Sequence, residues 1–433
     1  MRYVSYGHSP SSTSRIVVTL IWLTAAVLRR RLRQGEGAPV STVDDQALGF
    51  VRVSDVEFAS GWVPGFVDDG SICAGDTGPV ISPLEALEAV VLDALLERPC
   101  IIGFSGGRDS SALLAVAMRV ARREGLDPPI PVTKVYPDVP ATDESDWQDL
   151  VVRWLGVGEW VRHEYRDELD LLGPAATASL RRHGLLWPGS AHNRGPTLEV
   201  ARGGCYVDGE GGDEILGEFR ITPVKQVLAR ERPLDRRARR DSLYAVAPSR
   251  LRRGVAERLV ERTNDRSWLL PEAAAWYKAT AVRDILDAAL PYGKAVRQTA
   301  DRRAVQVAMR NLDAVGRAAG VRYVHPFYDP AFLAALSAFG GRLGLANRTQ
   351  TMRALFSELL PDEVNAREGK VYFNNAFIHG YSRAFLDEWD GTGLDTDLID
   401  VDALREVWRQ PSIHAGTFQL IQAAWLANQD AAL

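Results

Sequence analysis

Gly103-Phe104-Ser105-Gly106-Gly107-Arg108-Asp109-Ser110-Ser111 lies between an apolar run and ALLAVAMRV, a stretch with helical spacing. Strand, loop of small residues, then helix is the order in which doubly wound sheets place a ligand. Gly106 and Gly107 let the backbone turn tightly and approach that ligand. Loop amides and the start of the following helix suit an anion. The hydroxyls of Ser105, Ser110 and Ser111 add further donors. The loop is not a Walker A motif, which ends on lysine, and it is not GxGxxG. A carboxylate in a phosphate cradle repels its ligand unless a cation lies between them, so Asp109 implies Mg²⁺. The plain alternative is a serine-rich turn that merely caps a helix.

Outward from this loop the pattern is regular. Ser82, Pro83 and Glu85 predict a capped helix running to about residue 97. Strands are expected over 100–104, 130–136, 160–165 and 205–207, with helices over 110–123 and 143–155 between them. Alternation of this kind predicts an α/β fold, a doubly wound parallel sheet covered on both faces. Beyond residue 217 strand signals fade, so the second half is expected to be helical. Residues 1–80 read as a separate extension with short β-like pieces at 50–53 and 62–67 and a loop at 70–79. The division expected is therefore 1–80 and 81–433.

The 433 residues carry a net charge of −5, which supplies no global basic field to attract nucleic acid. Residues 230–262 hold 11 arginines against five acidic residues and read as a solvated helical face. Cys73, Cys100 and Cys205 are too few and too scattered for a disulfide framework or a metal motif, so a reducing cytoplasm fits. Residues 16–28 are apolar, but as a helix they span about 20 Å against a hydrocarbon core of about 30 Å. Arg29, Arg30, Arg31 and Arg33 follow, rather than a cleavage site. A buried helix is expected there; attachment to a membrane surface is the lesser alternative, and stable insertion is not expected. His163, His192 and His325 show no metal spacing, and His192-Asn193 reads as a structural pair.

A second glycine-rich turn, Asp208-Gly209-Glu210-Gly211-Gly212-Asp213-Glu214, follows the strand at 205–207. Three carboxylates within residues 210–214 repel when close unless a metal or an amine is present. A solvated acidic turn is the alternative for this segment alone. The pair of turns resembles the PP-loop ATP pyrophosphatases, and the second turn resembles the GEGGDE segment of the asparagine synthetases within them. Asp143-Glu144-Ser145, His325-Pro326-Phe327-Tyr328-Asp329 and Arg367 with Lys370 fall in the order that this branch implies. Tyr328 replaces the usual leucine, and Val371-Tyr372 stands where a glycine is usual.

The resemblance implies an ATP-dependent, AMP-forming ligase that activates a carboxylate and transfers it to ammonia or an amine. Ser105, Gly106, Gly107, Asp109, Ser110, Ser111, Gly209 and Gly211 would bind ATP and pyrophosphate, with adenine near residues 132–135. Asp109 and Asp213 would hold Mg²⁺; Lys370, Glu210 and Arg367 would be catalytic. Position 2 is arginine, so the catalytic cysteine of the glutamine-dependent relatives is not expected. Nitrogen would come from free ammonia, a partner protein or an amine on the substrate. Alternatives are a macrolactam or β-lactam-type cyclase acting on a specialised metabolite or peptide substrate, a tRNA-modifying PP-loop enzyme and a non-catalytic subunit that binds a partner protein.

Overall fold

The computed structural model of the chain describes residues 48–67, 81–369, 373 and 376–430. The apolar stretch 16–28, the loop 70–79, Cys73 and Lys370 lie outside them. Five parallel strands form one sheet: β1 (Cys100–Gly103), β2 (Ile130–Val135), β3 (Val161–Glu164), β4 (Cys205–Val207) and β5 (Arg322–Val324). Their order is β3-β2-β1-β4-β5, so the chain reverses its direction of travel between β1 and β4. A crevice opens at the carboxyl ends of strands on either side of such a reversal. This is the doubly wound parallel fold that the alternating pattern predicts.

Alternation within the strands explains how both faces are covered. Cys100, Ile102, Cys205, Val207 and Val324 join one core, whereas Ile101, Val132, Tyr206 and Tyr323 join the other. The helices Pro83–Leu95, Arg108–Glu124 and Pro330–Gly340 pack on the first face, and Arg303–Ala318 on the second. Leu113, Leu114, Val116 and Val120 of the helix after β1 are fully buried, each contributing about 1.5–3 kcal/mol of transfer free energy. Gly125 ends that helix at φ 62°, where a side chain would be strained. Ser82 opens the preceding helix as expected: its Oγ accepts the Glu85 N–H at 3.2 Å, and the Glu85 carboxylate accepts the Ser82 N–H at 2.7 Å.

Three features differ from the sequence reading. β5 is a strand of three residues, too short to show a period before the turn at Pro326. Residues 50–53 form no regular element, and 62–67 supply one isolated bridge, Phe66 to Arg302. Between them lies a helix, Asp55–Ser60, started by Ser54 and Glu57. This segment packs on the rest of the described chain: Trp268 Nε1 donates to Ala59 O at 2.9 Å, and Arg303 pairs with Glu57. The helical second half has its own core around Trp268, Leu404, Trp408 and Ile421. The arginine-rich segment forms the helices Arg236–Val246 and Ser249–Thr263; Arg252 is buried against the Ile285 and Leu286 carbonyls, and Leu243, Leu251 and Leu259 are exposed.

Ser82→Ala removes one half of the reciprocal cap. It should lower stability by about 1 kcal/mol in urea unfolding, without changing the slope of the transition.

Candidate active site

The first glycine-rich turn is held shut by its own hydroxyls. Ser110 Oγ donates to Gly107 O and accepts the Ser105 N–H, each at 3.2 Å, and Ser105 Oγ accepts the Gly107 N–H at 3.2 Å. Gln148 Nε2 holds Ser105 O at 3.0 Å. Gly106 takes φ +87°, and a Cβ there would stand 2.9 Å from Gln148 Cγ. Glycine is thus required by both conformation and space.

Arg367 stands behind this turn. It donates to Gly106 O at 2.9 Å, pairs with the Glu144 carboxylate, and lies 4.8 Å over the Trp147 ring. Both members of the pair are buried. Burial pushes Glu144 above the ordinary carboxylate range, and the Arg367 charge opposes that. The Asp143-Glu144-Ser145 segment therefore supplies the anchor for Arg367 at the start of the helix Ser145–Leu155.

The two glycine turns touch. A Cβ on Gly212 would fall 2.2 Å from Asp109 Cγ, and one on Gly209 would fall 3.2 Å from the Ser110 amide nitrogen. Gly211 has φ +91°, and a Cβ there would meet Tyr328 Cε2 at 2.6 Å. The tyrosine that departs from the family pattern thus packs over the second turn. Asp109 and Asp213 converge on one guanidinium: Arg348 Nη2 reaches both Asp109 oxygens at 2.6 Å, and its Nη1 pairs with Asp213.

A cavity of about 650 Å³ opens over both turns. Ser105, Gly107, Asp109, Ser110, Gly209, Glu210, Gly211 and Asp213 all line it. Gly106 and Arg367 sit behind the wall. Ser111 does not reach the cavity; its hydroxyl is buried and has no hydrogen-bond partner among the described residues. A larger open groove of about 780 Å³ lies between the helices Ser249–Thr263 and Pro271–Asp287, remote from either turn and crossed by Lys278–Glu261 at 3.3 Å.

The charges at the rear of the cavity are balanced by pairs. Arg194 holds Glu210 at 2.8 Å, and the imidazole of His325 lies 3.2 Å from Asp208. Burial alone would lower the His325 pKa, but Asp208 outweighs it and raises it to about 10, so the ring is cationic at neutral pH. Burial would raise Asp208, yet His325 and Arg194 keep it below the usual carboxylate range. Glu210 goes the other way: burial and the neighbouring Asp208 charge raise it. Lys134 lines the cavity with Val132 of β2 and Tyr136 just beyond it, and its ammonium donates no hydrogen bond among the described residues. Burial, with help from Arg194, lowers its pKa to about 7. His192 and Asn193 are buried and bonded to Ser179 (2.9 Å) and to Leu169 O (2.8 Å), a structural pair as expected.

The sequence matches the family model for asparagine synthase over residues 85–429. The chain belongs to the asparagine synthase family. ATP-dependent amide-forming ligation is the activity of that family. A search of curated proteins finds no match.

This family typically uses Mg²⁺, and the donor set fits the ion. Asp109 and Asp213 aim at one point already held by a cation. Among the described residues there is no cluster of three or more His, Cys, Asp or Glu that could hold a metal. A site of two carboxylates completed by phosphate oxygens and water is what Mg²⁺ prefers. Sequence reasoning missed Arg348, Arg194, Lys134 and the charge on His325. Lys134 alone carried a signal, as one of five lysines among 51 basic residues.

Two outcomes follow. Arg367→Met leaves Glu144 buried and unpaired, and should cost about 3–5 kcal/mol in urea unfolding, with partial recovery in the Arg367→Met/Glu144→Gln double variant. After reductive ¹³C-methylation, the Lys134 resonance should titrate at about 7, and a midpoint near the free-lysine value of about 10.4 would show a solvated ammonium instead.

Proposed function

We propose that the chain activates a carboxylate as an acyl-adenylate, releasing pyrophosphate, and passes the acyl group to ammonia or an amine. The contact between Gly212 and Asp109 supports this reading most strongly, because it makes one anion site of two turns. In this reading the amides after Ser105 and the hydroxyls of Ser105 and Ser110 cradle the β- and γ-phosphates. Asp109 and Asp213 would hold Mg²⁺, which neutralises charge on the phosphate oxygens. Arg367 positions the first turn through Gly106 O, and does so without touching substrate. A substrate carboxylate oxygen attacks the α-phosphorus, and the bond to pyrophosphate breaks. Lys370 is assigned the charge that builds on the leaving oxygens.

The amine then attacks the activated carbonyl, and AMP departs. Glu210 lies on the cavity wall, its pKa raised by burial and by Asp208, and is assigned the proton that the attacking nitrogen loses. A second reading, closure of a ring within a longer substrate, draws support from the apolar part of the cavity lining. Ala304, Val305, Ala308 and Met309 line the same cavity as Glu210 and give it an apolar surface, which suits a substrate with a hydrocarbon body.

The test is the product. With Mg²⁺, ATP and a panel of carboxylic acids, the pure chain should exchange labelled pyrophosphate into ATP and release AMP once amine is added. Asp109→Ala and Lys370→Ala should each lower that exchange by about 10²-fold or more. Release of ADP and orthophosphate would overturn the reading.

A further inference from the structure

Arg348 opens the helix Arg348–Phe356, behind the cap Asn347, whose Oδ1 accepts the Gln350 N–H at 2.9 Å. Its fork spans both turns, with one nitrogen on the two Asp109 oxygens and the other on Asp213. Its Nε–H is buried and has no acceptor among the described residues. Asp109 is partly buried, so two adjacent carboxylates would repel without a cation between them. Arg348 bridges them directly before any ligand arrives, with the Arg108 charge nearby.

The oxygens that Arg348 holds are those a divalent ion would need. Mg²⁺ takes carboxylate oxygens at about 2.0–2.1 Å and competes for them with a guanidinium that uses both Asp109 oxygens. Entry of the ion between the two carboxylates therefore favours release of Arg348. A fork that leaves two carboxylates beside a phosphate cradle finds equivalent oxygens on the phosphates, whose spacing it matches.

Resting on the reading above, we propose that Arg348 is a pyrophosphate ligand that also serves as the resident counter-cation of Asp109 and Asp213. It exchanges carboxylate for phosphate oxygens when metal and nucleotide enter. Metal alone gains little, because it must eject a guanidinium that finds no new partner. Metal with polyphosphate gains both contacts, so the two ligands arrive together.

Calorimetric titration of the full chain separates the possibilities, using Mn²⁺ alone and then pyrophosphate with Mg²⁺. R348Q should bind Mn²⁺ alone about tenfold more tightly than wild type and pyrophosphate about tenfold more weakly. R348K keeps a charge but not the fork. It should also gain affinity for Mn²⁺ while keeping part of the pyrophosphate affinity, and it decides the matter if R348Q does not fold. Mn²⁺ affinity equal to wild type in a folded variant, or R348Q pyrophosphate affinity within about twofold of wild type, would overturn the proposal. If wild type bound neither pyrophosphate nor ATP with Mg²⁺, the reading of the whole site would fall instead.

Discussion

The arrangement depends on keeping two carboxylates side by side in a partly buried crevice. Asp109 comes from the helix after β1, and Asp213 from the turn after β4. Their adjacency requires that nothing stand between the turns, and Gly212 meets that condition by having no side chain where Asp109 packs. The electrostatic cost is met by Arg348, which arrives from a helix more than a hundred residues later in the chain. A parallel sheet with its reversal between β1 and β4 is the scaffold that brings the first two together; the helical half supplies the third.

Around that centre the chain spends buried polar groups on rigidity. The Arg367–Glu144 pair and the Gln148 amide fix the first turn from behind, while Ser105 and Ser110 fix it from within. Such a turn presents its amides without needing to reorganise as charge develops, which is the condition for electrostatic stabilisation of a transition state. The rear of the cavity follows different logic. There two cations flank two carboxylates as Arg194, Glu210, Asp208 and His325, and their mutual influence sets one carboxylate high and another low.

Much of this was legible in the residues. Glycines and serines at strand ends are uncommon enough to be read as turns, and the period-two and helical patterns around them located four of the five strands. β5 escaped because three residues cannot display a period. Arg348 escaped for a different reason: in a chain with 46 arginines, one at a helix start carries no mark of its partners. Arg367 was noticed beside Lys370, but its place behind the loop depended on Glu144, and no local pattern links residues so far apart. Lys134 could have been found by counting two residues on from Val132 along a strand already identified.

The helix Arg303–Ala318 has a further consequence. Ala304 and Ala308 form part of the cavity wall, and Asn311, on the next turn, accepts the Val51 N–H at 2.8 Å and donates to Val51 O at 3.0 Å and to Trp187 O at 2.7 Å. One amide side chain thus ties a coil segment far upstream to a helix that forms part of the cavity wall. Arg317 Nη2 adds a second tie, donating to Leu48 O at 2.8 Å, so a pull on residues 48–51 would reach that helix at two points.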